Sequence, residues 1–112
     1  MAYNKYGNKK VKVDGHTFDS QKEARRYKEL KLLERAGKIK DLELQPMFEL
    51  IPTIRTETET LRKTVYKADF RYVDTKTKGV VVEDVKGFKT DVYKLKKKML
   101  LHKYKDVDFR EV

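Results

Sequence analysis

The chain has 112 residues, enough for one domain, and because only 38% of them are hydrophobic and 41% are charged, it can bury only a small core. It has no cysteine, which excludes disulfides, thiolate metal sites and cysteine nucleophiles. Its 28 Lys and Arg outnumber its 18 Asp and Glu, and a net charge of +10 favours a polyanionic partner, nucleic acid before an anionic membrane.

The N-terminus is predicted to be extended. Residues 1–10 are polar and basic, which is typical of a flexible arm. Residues 11–13 alternate between valine and lysine and lead to Asp14-Gly15, which is a turn signal. A short strand or extended segment therefore fits residues 11–13.

A first helix is predicted to follow. Ser20 and Glu23 have the spacing of a capping box, so the helix should begin there, run to about Ala36 and stop at Gly37. Its apolar residues recur at helical spacing and comprise Ala24, Tyr27, Leu30, Leu33 and Ala36. Glu23 flanks this stripe, and its simplest role is to cap the helix.

The middle of the chain is predicted to be extended. Residues 42–45 alternate like a strand, and Pro46 makes that strand an edge or a bend. Residues 47–51 are again strand-like and stop at Pro52. Residues 54–63 are polar and rich in threonine, which favours the tip of a long strand pair or a surface loop.

Two strands joined by a polar turn should come next, at residues 64–74 and 79–86. If Val73 faces Val80, then Asp69 faces Asp84, with Cβ atoms roughly 4.5–5.5 Å apart. Like charges in this position destabilise a hairpin unless something neutralises them, and a divalent cation would do so. A slip of one residue would remove this pairing.

Strand alternation also assigns residues to the two faces of this hairpin. On the first strand one face should carry Val65, Lys67, Asp69, Arg71 and Val73, and the other Tyr66, Ala68, Phe70 and Tyr72. On the second strand one face should carry Val80, Val82, Asp84 and Lys86, and the other Val81, Glu83 and Val85. Asp69, Asp84 and Lys86 should therefore converge on one face.

A second helix, capped by Thr90 or Asp91, is predicted to run to about Tyr104. Its apolar stripe comprises Val92, Leu95, Met99 and His102, widened by Tyr93, Leu100 and Tyr104. Residues 106–112 alternate as a last strand, parallel to the strand before the helix. The fold class is α/β (α+β), a mixed β-sheet flanked by helices in the order α-β-β-β-α-β.

The two aspartates suggest a metal site. A buried charge is costly unless it is paired or binds metal, and oxygen-only ligands suit Mg²⁺ or Mn²⁺. Such an ion can generate hydroxide and orient a phosphodiester, while a nearby Lys86 could serve the attacking water. The alternative is a structural Asp–Lys ion pair at the end of the sheet.

The chain also resembles a known nuclease group. A helix Glu, a strand Asp and an Asp-x-Lys are the signature of the PD-(D/E)XK superfamily, and Glu23, Asp69, Asp84 and Lys86 match it in order. The stretches KYGNKKVKVDGHTFDSQKEARRY, LELQP, KADFRYVD and VVEDVKGFKT resemble the phage-associated DUF1064 family, described as endonucleases similar to Holliday junction resolvases. The resemblance covers nearly the whole chain and implies a restriction-endonuclease-like core.

The resemblance implies a role for each matching residue. Asp69 and Asp84 would ligate the metal together with the main-chain carbonyl of Val85. Glu23 would complete the site directly or through water, which makes it a functional acid rather than only a cap. Lys86 would serve the nucleophilic water.

Some positions depart from the pattern or remain open. Ala68 stands before Asp69, where the superfamily name has proline, and Glu83 could compete with Asp84 as the ligand, although only Asp84 shares a face with Lys86. Gln45 is either an accessory site residue or a surface strand residue.

The expected partner is DNA, bound by its backbone and selected by its branched structure. The lysines expected to contact it are Lys9, Lys10, Lys12, Lys89, Lys94, Lys97 and Lys98. The resemblance implies a homodimer that takes part in DNA recombination.

No apolar run approaches the roughly 18 residues of a membrane span and no signal-peptide core is present, so we expect a cytoplasmic protein, in the host cell if phage-encoded. The alternatives are a phage protein that keeps the fold without cutting, either binding nucleic acid or inhibiting a host enzyme, and, more distantly, a basic protein of the membrane surface.

Overall fold

The computed structural model describes residues 9–85 and 89–112. Most of the predicted basic arm, and Lys86, lie outside the described residues. The described ranges hold the helices α1 (Gln21–Arg35) and α2 (Asp91–Lys103). Their strands are β1 (Val11–Val13), β2 (His16–Phe18), β3 (Ile39–Leu44), β4 (Met47–Ile51), β5 (Ile54–Arg55), β6 (Thr60–Leu61), β7 (Thr64–Lys67), β8 (Phe70–Asp74), β9 (Val80–Asp84) and β10 (Asp108–Glu111).

The central element is a four-stranded mixed sheet in the order β10-β9-β8-β3. Strand β8 is antiparallel to β3 and β9, while β10 is parallel to β9, as the crossover through α2 predicts. The predicted mixed-sheet fold is therefore confirmed. Within the described ranges, neither helix is long and apolar enough to cross a membrane.

Local signals set the N-terminal elements as predicted. The β1–β2 hairpin turns through Asp14 and Gly15, whose φ angles of 52° and 80° match the two-residue turn that such a pair favours. Ser20 caps α1, because its side chain accepts the backbone N–H of Glu23 at 3.1 Å. Gly37, at a φ of 76°, ends the helix region in the left-handed conformation that glycine tolerates.

The two helices cover opposite faces of the sheet. On the α1 side, Ala24, Tyr27 and Leu30 pack with a set that includes Phe70, Tyr72 and Val81. Leu33 and Ala36 were predicted to join them but are exposed, because this cluster does not extend to the last turn of the helix. On the α2 side, the buried cluster comprises Phe48, Leu50, Tyr66, Ala68, Val82, Tyr93 and Leu100.

The predicted single strand over residues 64–74 is wrong, because the chain bends at Asp69 between β7 and β8. Pro46 has no N–H for a ladder, and the neighbouring Gln45 adopts a φ of 52°. The bends meet: the N–H of Gln45 donates to the carbonyl of Asp69 at 2.9 Å, and the N–H of Ala68 donates to that of Pro46 at 3.0 Å.

This double bend also overturns the predicted face assignment. Tyr66 and Ala68 pack on the α2 side, whereas Phe70 and Tyr72 pack on the α1 side. Continuous alternation would have placed all of them together. The side chains before the bend therefore join the face that carries Val82.

Met99 packs, partly buried, against the cluster on the α2 side, but the rest of the predicted apolar stripe of α2 is wrong. Val92 and Leu95 are 63% and 58% exposed, and His102 is exposed as well. Tyr93 and Leu100, which were predicted only to widen the stripe, form the buried face instead. The helix is turned by about one residue, or about 100°, because Tyr93 and Leu100 fill the space beside Val82.

Candidate functional site

The candidate site lies where β8 begins and β9 ends. The pairs Phe70–Glu83 and Val73–Val80 confirm the predicted register. One further step along this register reaches Asp69 opposite Asp84, although Asp69 itself lies in the bend, just outside the ladder. The N–H of Asp69 donates to the carbonyl of Glu83 at 3.1 Å, which ties the bend to β9.

Glu23 and Asp69 meet at this end of the sheet. Glu23 is 5% exposed, and its carboxyl group lies close enough to that of Asp69 for the two groups to interact. Burial first, and then the charges of Asp69 and Asp19, raise the pKa of Glu23 to about 7. The Glu23 carboxylate also accepts a backbone hydrogen bond from Asp19, which lowers its pKa, so the side chain interacts both with the start of the helix and with Asp69.

Asp69 also contacts the chain just beyond β9. Its Oδ2 atom accepts the backbone N–H of Val85 at 2.6 Å. This bond fixes Asp69 beside the residue that follows Asp84. The main-chain segment whose carbonyl was predicted to assist a metal therefore lies next to one of the predicted acids.

Asp84 is 1% exposed and lies on the α2 side of the sheet. The hydroxyl of Tyr66 donates a hydrogen bond to its Oδ2 atom. The Tyr66 ring packs against Tyr93 and Phe109, with centroid distances of 6.2 and 6.1 Å. Tyr66 therefore orients the Asp84 carboxylate, and its own ring is held by Tyr93 and Phe109.

Glu83, the competing acid, points to the other face. It is fully buried, and Arg26 forms two hydrogen bonds to its carboxylate, at 2.7 and 2.6 Å. The hydroxyl of Tyr72 donates a third. These contacts raise the pKa of Arg26, with the Glu83 bond as the main cause. Glu83 thus belongs to a buried ion pair that fastens α1 to the sheet.

The donor set suits a hard cation by its chemistry. Glu23, Asp69, Asp84 and the carbonyl of Val85 would all offer oxygen, which Mg²⁺ and Mn²⁺ prefer. Among residues 9–85 and 89–112, however, no three or more His, Cys, Asp or Glu side chains form a group that could hold a metal ion. Glu23 and Asp69 interact at this end of the sheet, and Asp84 lies one register step beyond the ladder pair Phe70–Glu83.

The comparison with known families bears on nearly the whole chain. A family model described as "Protein of unknown function (DUF1064)" matches residues 3–112. The chain belongs to the DUF1064 family. Neither the curated proteins nor the solved structures include a match to it.

The predicted DNA-contacting lysines of this DUF1064 chain lie in two regions. Lys9, Lys10 and Lys12 are exposed at and just before β1. Lys94 and Lys98 are exposed on α2, while Lys89 and Lys97 form ion pairs with Glu111. Gln45 is exposed and lies at the bend, with its backbone beside Asp69.

Sequence reasoning missed three residues around Asp84: Tyr66, Tyr93 and Glu111. The two tyrosines had been treated only as strand and stripe residues. Glu111 is the register partner of Asp84 on the parallel strand β10. Parallel pairing of the last strand was predicted, and working out its register would have brought Glu111 to this end of the sheet.

Proposed function

We propose that this DUF1064 protein is a metal-dependent DNA endonuclease of the PD-(D/E)XK type that hydrolyses phosphodiester bonds. The observation that carries the proposal is the contact between Glu23 and Asp69 beside the end of β9. This contact joins an acid from α1 to the acid pair of the hairpin. A helix acid and two strand acids at one sheet end are the arrangement that the superfamily signature implies.

In this proposal Asp69, Asp84 and the carbonyl of Val85 would hold Mg²⁺ or Mn²⁺, and Glu23 would complete the set. When bound, the ion would activate water and stabilise the charge on the phosphodiester. Tyr66 would orient Asp84 through its hydroxyl, and the N–H of Val85 would orient Asp69. Lys86, which lies outside the described residues, is proposed to serve the attacking water.

The proposed substrate is branched DNA, with the Holliday junction as the first candidate. The basic surface of α2 and the lysines before and within β1 support a backbone-directed, structure-selective interaction. We further propose a homodimer, since two symmetric cuts across a four-way junction suit a two-fold assembly. The host cytoplasm is the proposed location if the gene is phage-borne.

Cleavage of a four-way junction, with the matched linear duplex as comparison, tests the activity. We expect the wild type to cut the junction with Mg²⁺ or Mn²⁺, and Asp84→Asn to bind but not cut. Asp108→Asn is the matched control, because Asp108 is an exposed acid at the other end of β10 and pairs with Arg110. Loss of cutting in both variants, or no cutting of any DNA by the wild type, would contradict the proposal.

A second candidate is a nucleic-acid-binding protein that keeps the fold without cutting, and it would be compatible with inhibition of a host enzyme. The exposed lysines before and within β1 and on α2 favour it, because binding to a DNA backbone needs a basic surface and no metal centre. The same experiment separates the candidates. Equal DNA binding by wild type and Asp84→Asn, with no cleavage by either, would support the binding protein.

A further inference from the structure

A surface pocket of about 480 Å³ lies between α2 and β10, beside the candidate site. Its lining comprises Lys89, Tyr93, Lys94, Lys97, Lys98, Leu101 and Glu111. Four of these residues are lysines, and Glu111 is the one acid among them. The pocket is therefore a cationic surface with a single carboxylate set into it.

Donors from three side chains converge on that carboxylate. The hydroxyl of Tyr93 donates to Oε2 of Glu111 at 2.7 Å, and Nζ of Lys97 donates to Oε1 at 2.8 Å. Nζ of Lys89 lies 3.3 Å from Oε2. Lys97 first, and then Tyr93, lower the pKa of Glu111 to about 2. The three side chains thus form a site that holds an anion.

This anion site is adjacent to the acids. Glu111 is the parallel register partner of Asp84, and paired strands lie about 4.7–4.9 Å apart. The N–H of Val112 donates to the carbonyl of Asp84 at 3.0 Å. Burial and then Glu111 raise the pKa of the Tyr93 hydroxyl, and the charges of Asp84 and Asp69 raise it further, which places Tyr93 near both acids. An anion held here would lie one strand away from the candidate centre.

We propose that Lys89, Lys97 and Tyr93 form a binding site for a backbone phosphate of DNA, and that Glu111 fills this site in the free protein. A phosphodiester carries one negative charge on two non-bridging oxygens, so it can replace a carboxylate before the same donors. Lys94 and Lys98 extend the cationic surface along α2. This inference rests on the proposed function for its partner, DNA.

The test measures DNA binding without metal, so that cleavage plays no part. Fluorescence anisotropy with a labelled four-way junction in EDTA, over a range of salt, compares the wild type with Glu111→Gln. Because the glutamine leaves Lys89 and Lys97 available, we expect binding to tighten by about threefold to tenfold. The slope of log affinity against log salt should become steeper by about 0.9.

Glu57→Gln is the matched control, because it changes the net charge equally at an exposed position between β5 and β6. Salt screening should hold its effect below about twofold. An effect of Glu111→Gln equal to that of Glu57→Gln, or weaker binding, overturns the phosphate site. Circular dichroism checks the folding of each variant.

A second pair of variants keeps the test decisive if Glu111→Gln does not fold. Lys97→Gln should weaken DNA binding more than Lys76→Gln, because Lys76 is exposed in the β8–β9 turn at the opposite end of β9. Equal effects overturn the phosphate site. A wild type that cuts DNA while Glu111→Gln matches its control refutes this inference alone. If the wild type binds DNA but never cuts it, and Glu111→Gln has the expected effect, only the proposed nuclease activity is refuted. If the wild type does not bind DNA, the nuclease activity and the phosphate site are both overturned.

Discussion

Glu23→Gln should stabilise the metal-free protein, by an amount that grows as the pH rises above about 4.5. Glu23 is 5% exposed beside Asp69, and its pKa rises from an ordinary value of 4.5 to about 7. At low pH the buried carboxyl is protonated in the folded protein and costs little. Between pH 4.5 and about 7 this group is ionised in the unfolded chain but still largely protonated in the folded protein. The folded state therefore loses stability as the pH rises through this range.

The size of this effect follows from the pKa change. Each pKa unit is worth about 1.4 kcal/mol, so the penalty approaches roughly 3 kcal/mol above neutral pH. Glutamine carries no charge there and can still hydrogen-bond to Asp69. The variant should therefore unfold at higher urea than the wild type at about pH 8, while the two should be nearly equal at about pH 4.

Urea unfolding followed by circular dichroism in EDTA measures this difference, and Glu57→Gln serves as an exposed control. Other titrating groups cancel when wild type and variant are compared at the same pH. A stability difference that does not depend on pH, or a variant less stable at about pH 8, would refute the argument that the Glu23 carboxylate is destabilised by burial and by Asp69.

Three further predictions concern the ion pair, the tyrosine and the assembly. Arg26→Met should lower the free energy of unfolding by about 3–5 kcal/mol, because it leaves Glu83 buried without its cation, and a loss below about 1 kcal/mol in urea unfolding would contradict this. Tyr66→Phe should keep the fold but weaken Mn²⁺ binding in calorimetry by about tenfold, because Asp84 loses its orienting hydroxyl. Tyr104→Phe is the control, because its hydroxyl bonds only to the carbonyl of Glu49 among the described contacts. Equal Mn²⁺ affinities of the two variants would rule out an orienting role for Tyr66. Light scattering should give the mass of two chains, and a monomer at concentrations that support cleavage would argue against the proposed dimer.

Local physics is enough to predict much of this fold from the sequence. The Ser20 cap and the Asp14-Gly15 turn depend on neighbouring residues, so their signals lie within a few positions. The register of β8 and β9 follows from alternation and a short turn. Parallel pairing of β10 with β9 follows from the order strand, helix, strand, because a helix between two strands crosses over the sheet and leaves the strands parallel.

The candidate site was only partly predictable. Asp69 and Asp84 could be brought together from their own hairpin, whereas the contact between Glu23 and Asp69 was implied by family resemblance. Alternation correctly separated Asp84 from Glu83, but it could not supply Arg26 as the partner of Glu83. That partner comes from a helix far away in the chain.

Tertiary structure decided the rest, because the deciding contacts join distant segments. The bend at Asp69 exists because Pro46 interrupts the opposite strand, and it moves Tyr66 to the face of Asp84. The rotation of α2 brings Tyr93 to Glu111, a contact that no helical periodicity contains. Local signals in the chain set the helix ends and the β8–β9 register, while packing between the sheet and the helices set the bend at Asp69 and the side chains next to Glu23, Asp69 and Asp84.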